Sequence, residues 1–72
     1  MNKIDRIEQI KFEIGAIEFV PNEPLARRAR KYRKLFSLYE ELTLLRPDLA
    51  DRLDGILRSL RTLLRSTEHE QD

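Results

Sequence analysis

The clearest hydrophobic pattern lies in the last third of the chain. Leu49, Leu53, Ile56, Leu60 and Leu63 step by 4, 3, 4 and 3 residues. Leu57 and Leu64 widen that stripe to the breadth of an ordinary core-facing helix. Asp48 and Asp51 stand where a helix start favours anions, and Arg61 and Arg65 stand near the end, where cations are favoured. Gly55 lies inside without disturbing the phase, at a cost of up to about 1 kcal/mol relative to Ala. The spacing predicts a helix over 47–66, followed by a polar tail, 67–72.

The middle of the chain carries two apolar stripes. Leu25, Ala29, Tyr32, Phe36 and Tyr39 form one. Leu35, Leu38, Leu42 and Leu45 form a second, displaced by about a quarter turn or more at 100° per residue. This predicts a helix over 23–45 that needs two neighbours, one of which the last helix supplies.

Ile4, Ile7, Ile10, Ile14 and Ile17 give the N-terminal part a helical or coiled-coil stripe. Within it "IKFEI" alternates like a strand and is rich in β-formers. The alternation fails at "GAI", and the longer pattern predicts a helix over 3–19. "VPNEP" at 20–24 and "RPD" at 46–48 separate the three segments, because proline forces the preceding residue out of helical geometry yet suits the first turn of a new helix. The fold class that follows is all-α: one helical domain, 1–72, whose second and third helices form a long antiparallel hairpin, as a short connection demands.

Size then adds a constraint. A chain of 72 residues buries only about 60% of the surface its unfolded form exposes. No cysteine is present to supply a disulfide or thiolate staple. Self-association into a helical bundle is therefore expected, with a homodimer as the simplest case. No apolar run approaches the roughly 20 residues of a membrane span, and "MNKIDRIEQI" lacks the layout of a signal peptide. No membrane partner and a cytoplasmic location are the expectations.

Charge changes the picture more than composition does. The net charge is +1, yet residues 1–23 carry −2, residues 24–46 carry +5 and residues 47–72 carry −2. Six of the eight residues from Arg27 to Lys34 are basic, close to a helix start whose dipole disfavours cations. In an antiparallel hairpin Arg27, Arg28, Arg30, Lys31, Arg33 and Lys34 share one end with Arg58, Arg61 and Arg65. Glu40, Glu41, Asp48, Asp51 and Asp54 gather at the turn end with Arg46 and Arg52.

Three uses of the basic end compete. Glu13, Glu18, Glu23 and the tail's Glu68, Glu70 and Asp72 could neutralise it internally. It could bind an acidic surface of another protein, or the phosphates of a nucleic acid, for which clustered Lys and Arg are the usual footprint. Against the last, no Asn or Gln lies within 24–66 to read adenine, and Tyr32, the aromatic among the cations, falls on an apolar stripe.

Candidate chemistry is sparse. His69 lies alone in an acidic tail, and Gly15 and Gly55 make no phosphate-cradling loop. Asp48, Asp51 and Asp54 provide too few converging oxygens for a metal cage. No enzyme activity, cofactor or metal is expected. The expectation is a small non-catalytic regulator, of a transcription regulator for example, that dimerises and modulates or inhibits a larger protein. Its contacts are the basic set above, together with an apolar face of Leu35, Phe36, Leu38, Tyr39 and Leu42 fitted to a groove. A nucleic-acid-binding hairpin dimer is the alternative.

Overall fold

A computed structural model describes the backbone of residues 2–70 and the side chains of residues 2–67. Three α-helices follow one another: α1 (Lys3–Ala16), α2 (Leu25–Leu45) and α3 (Ala50–Glu70). Among the described residues there is no strand, so "IKFEI" is helical and its Phe12 is turned outward. No described helix is long and apolar enough to cross a membrane.

Local chemistry sets the boundaries. Asn2 caps α1, its Oδ1 accepting the Asp5 N–H at 2.9 Å. The helix ends at Ala16, three residues short of the expected Phe19, with Ile17 already extended. Beyond it, β-branched Ile17 and Val20 favour extended backbone, and Pro21 denies Val20 the helical region. Asn22 is left-handed at φ 65°, and the Glu23 N–H donates to the Val20 carbonyl. Val20–Glu23 is thus a type II turn, with Pro and Asn at its two central positions.

That turn places the start of α2 at Leu25 rather than 23. Pro24 precedes it, and no side chain caps it. A 3₁₀ turn over Pro47–Leu49 carries the chain from α2 into α3. The α3 helix also runs through the expected tail to Glu70. Thr67 is buried seven residues beyond Leu60, itself seven beyond Leu53. Its hydroxyl donates to the Leu64 carbonyl at 2.8 Å, so it continues the core face with its own polar group satisfied.

Helices α2 and α3, of 21 residues each, are each about 31 Å long and pack closely as a hairpin. The two stripes of α2 find two neighbours. Leu38 and Leu42 join Ile7 and Ile10 of α1 and Leu53 of α3 in the core. Ala29 is buried on the other stripe, where Phe36 meets Arg61 of α3. Ile14, Ile17, Tyr39, Leu45 and Leu49 pack around the core. Ile4, expected on the buried stripe, is 70% exposed instead. The α1 backbone packs on α2 and does not approach α3.

Candidate functional site

The candidate site is the end of the hairpin at which α2 begins. Its organising residue is Glu23, whose side chain is almost wholly shielded from solvent. The type II turn directs it inward, and the Lys31 ammonium reaches it from two turns along α2. The same ammonium donates to the Glu18 carbonyl and lies 5.5 Å from the centre of the Phe19 ring. Phe19 in turn packs on Tyr32 with ring centres 5.2 Å apart. Lys31 thus clasps the α1–α2 connection onto α2.

The clasp answers why cations are tolerated at this helix start. Glu23 sits beside the uncapped N-terminus, where an anion offsets the helix dipole. Its ion pair with Lys31 holds its carboxyl below the usual carboxylate range, against the opposing effect of burial, and Arg27 adds a smaller electrostatic contribution.

Glu13 and Glu18, the other described acids expected to neutralise this end, engage differently. Glu13 lies 3.7 Å from Arg6, not from the basic end, and Glu18 meets Lys31 through its backbone carbonyl. The side chains of Glu68, His69 and Glu70 lie outside the described residues, as does Asp72.

The basic residues therefore divide. Lys31 is taken inward by Glu23. Arg58 pairs with Asp54 at 3.0 Å, one turn back on α3, and Arg61 lies 5.7 Å over the Phe36 ring. Arg33 is exposed but not without a partner. Arg27, Arg30, Lys34 and Arg65 are exposed, Arg28 is half-buried, and none of these five forms an ion pair with a described residue.

At 100° per residue Arg27, Arg30 and Lys34 fall within about 60° of one another on α2, turned away from Ala29 and Phe36. Arg58, Arg61 and Arg65 occupy a similar sector of α3, on the Phe36 side. The two sets form a belt around the hairpin rather than one patch.

The expected apolar face is divided too. Leu38 and Leu42 are buried against α1 and α3, so this chain presents neither to a partner. Leu35, Phe36 and Tyr39 are half-buried. Tyr32 is half-buried against Phe19.

At the turn end two ion pairs form, Arg6–Glu41 and Arg46–Asp48. Arg6 of α1 grips Glu41 of α2 through Nε and Nη2, which holds the Glu41 carboxyl low and the Arg6 guanidinium high. Arg46 donates to both oxygens of Asp48 at 2.9 and 2.7 Å and lowers its pKa in the same way. Asp48 and Asp54 are thus engaged by Arg46 and Arg58 rather than converging with Asp51.

Sequence reasoning counted Glu23 as one acid among several and missed its burial. The signal was "VPNE", a type II turn with Pro and Asn at its centre, which fixes where the next side chain points. The Arg6–Glu41 pair left no such signal, since it joins residues 35 positions apart. Compared with known protein families, curated proteins and solved structures, the chain matches none of them.

Proposed function

We propose that this protein is a small non-catalytic helical regulator that acts as a homodimer on a larger protein, docking an acidic surface of that partner against Arg27, Arg30 and Lys34. The observation that carries the reading is that these three cations, on one sector of a packed helix, form no ion pair with a described residue. The same helix's Lys31 is matched to a buried carboxylate. Like charges held together raise the free energy of the isolated chain, and an anionic surface offsets that cost. Arg forks also suit bidentate carboxylate contacts. Arg28 and Arg65 border the sector.

A protein surface is favoured over nucleic-acid phosphates by two features. Tyr32 packs on Phe19 instead of standing free to stack on a base. No Asn or Gln from 24 to 66 is available to read one. The test compares the native chain with the triple variant Arg27→Glu, Arg30→Glu, Lys34→Glu, with helix content checked by circular dichroism. The expected result is partner capture and cellular activity lost in a fully folded variant, and no saturable binding of random-sequence duplex DNA at physiological salt. Micromolar DNA binding that weakens steeply with salt would replace the reading with the nucleic-acid one. A folded variant with unchanged partner and activity would end it.

A further inference from the structure

The three outward cations of α2 begin a longer line. Arg27, Arg30, Lys34, Ser37, Glu41 and Leu44 step by 3, 4, 3, 4 and 3 residues, the spacing of a seam along which a second helix packs. At 100° per residue all six fall within about 100° of one another. Leu38 and Leu42, which meet α1 and α3 in the core, lie to one side of the line. Five of the six residues are exposed, and Glu41 is half-buried.

Charge and chemistry change along this line. Arg27, Arg30 and Lys34 form no ion pair with a described residue. Ser37 follows, small and exposed. The Glu41 carboxylate is gripped by Arg6 through Nε and Nη2, so the line's own acid is already neutralised and opposes an anionic partner little. Leu44 is 81% exposed, more than any other large hydrophobic residue described. A single exposed leucine is ordinary by itself. Its register with the three cations is what gives it a use.

The repeat distance decides between shapes of partner. From Arg27 to Leu44 the line covers about 26 Å at 1.5 Å per residue, in five steps of about 5 Å. A helix laid alongside presents one side chain per step at the same repeat. An extended segment places same-face residues every 6.6–6.8 Å or so, and five such steps cover about 33 Å. It therefore loses register by more than one position before it reaches Leu44.

We infer that α2 docks an acidic amphipathic helix of the partner protein along Arg27–Leu44, with carboxylates on Arg27, Arg30 and Lys34 and an apolar side chain on Leu44. The inference rests on the acidic-surface reading of the proposed function and gives that surface a shape and a second anchor. With α1 and α3 on the other sides of α2, the incoming helix is the third neighbour of α2.

The test uses the full chain and a labelled synthetic peptide of 21 residues or so, made in both chain directions. It carries Glu opposite the three cations, Ala opposite Ser37 and Leu opposite Leu44. A second peptide has the same composition with the acids scattered around the helix, and a third has proline at its centre. Fluorescence anisotropy is expected to show the matched peptide binding at least about tenfold more tightly than either. Leu44→Ser, a change at an exposed position, is expected to weaken it by about tenfold, and the triple variant Arg27→Glu, Arg30→Glu, Lys34→Glu to abolish it.

Absence of binding, equal affinity for the scattered or proline peptide, or no effect of Leu44→Ser overturns the helical partner. The acidic-surface reading survives any of these results if the triple variant, still helical, loses partner capture and activity. If that variant keeps both, the two fall together.

Discussion

At the turn end of the hairpin Arg6 reaches Glu41 and Arg46 reaches Asp48, beside a core of Ile7, Ile10, Leu38, Leu42 and Leu53. At the opposite end Glu23 and Lys31 form an ion pair, and Arg27, Arg30 and Lys34 face outward. Both ends are rich in charge. One end matches Arg6 with Glu41 and Arg46 with Asp48, so these side chains serve the fold. At the other, Lys31 and Arg58 are matched, and Arg27, Arg30 and Lys34 form a same-sign sector without an ion pair to a described residue. Charge density alone therefore says little about use, and the local balance of partners says more.

Four measurements bear on that contrast. The largest effect belongs to the turn-end core: Ile10, which is fully buried, is expected to cost about 2–5 kcal/mol when cut to Ala, read by urea unfolding. Phe19→Ala at the other end should cost only about 1 kcal/mol, the scale of an aromatic pair, because Phe19 is 45% exposed. Equal losses would erase the difference between the ends.

Next is the turn that aims Glu23. Asn22→Val places a β-branched residue at φ 65° and should cost about 1–3 kcal/mol, whereas Asn22→Gly should be near neutral. Thermal melts of both variants distinguish turn geometry from loss of the Asn side chain.

Smaller, and opposite in sign, is Arg28→Glu. Exchanging a first-turn cation for an anion should raise stability by about 0.5 kcal/mol, while Arg6→Ala, which strands Glu41, should lower it. Two changes of the same sign would contradict the assignment of unpaired and paired ends.

The smallest effect per group is that of acid, since Glu41 and Asp48 are partly exposed and their pairs are screened. Glu23, Glu41 and Asp48 are all held below their ordinary values, by Lys31, Arg6 and Arg46 respectively. The unfolded chain therefore binds protons more readily, and stability must fall as pH drops. Their contribution is complete above the ordinary carboxylate values of 4.5 and 3.8 and disappears as pH falls through the lower folded values. Arg6→Ala should flatten the acid limb of a stability-against-pH curve, because Glu41 then titrates as it does in the unfolded chain.

Much of the architecture was legible from periodicity. The Leu49–Leu64 stripe placed α3, and the two stripes of α2 required the two neighbours it has. The errors fell at the ends of helices. Phe19 was drawn into α1 because Ile17 kept its phase, although Pro21 and the β-branched residues before it had already decided otherwise. Thr67 was assigned to a tail because it is polar, although its seven-residue distance from Leu60 kept it on the buried face. The candidate site was legible as a cluster and not as a set of roles. Nothing in "RRARKYRK" distinguishes Lys31 from Lys34; one faces Glu23 and the other faces solvent.

By itself, then, the sequence determined the helices, the hairpin and the separation of charge along it, because each follows from spacing within a single segment. Only the tertiary structure decided which charges are neutralised and which apolar positions remain open. Glu23 becomes a buried partner through a turn that brings it against Lys31, and Leu38 and Ile56 part company according to whether α1 lies across them. Those outcomes depend on distances between segments remote in the chain, and a linear pattern of residue types carries no term for such distances.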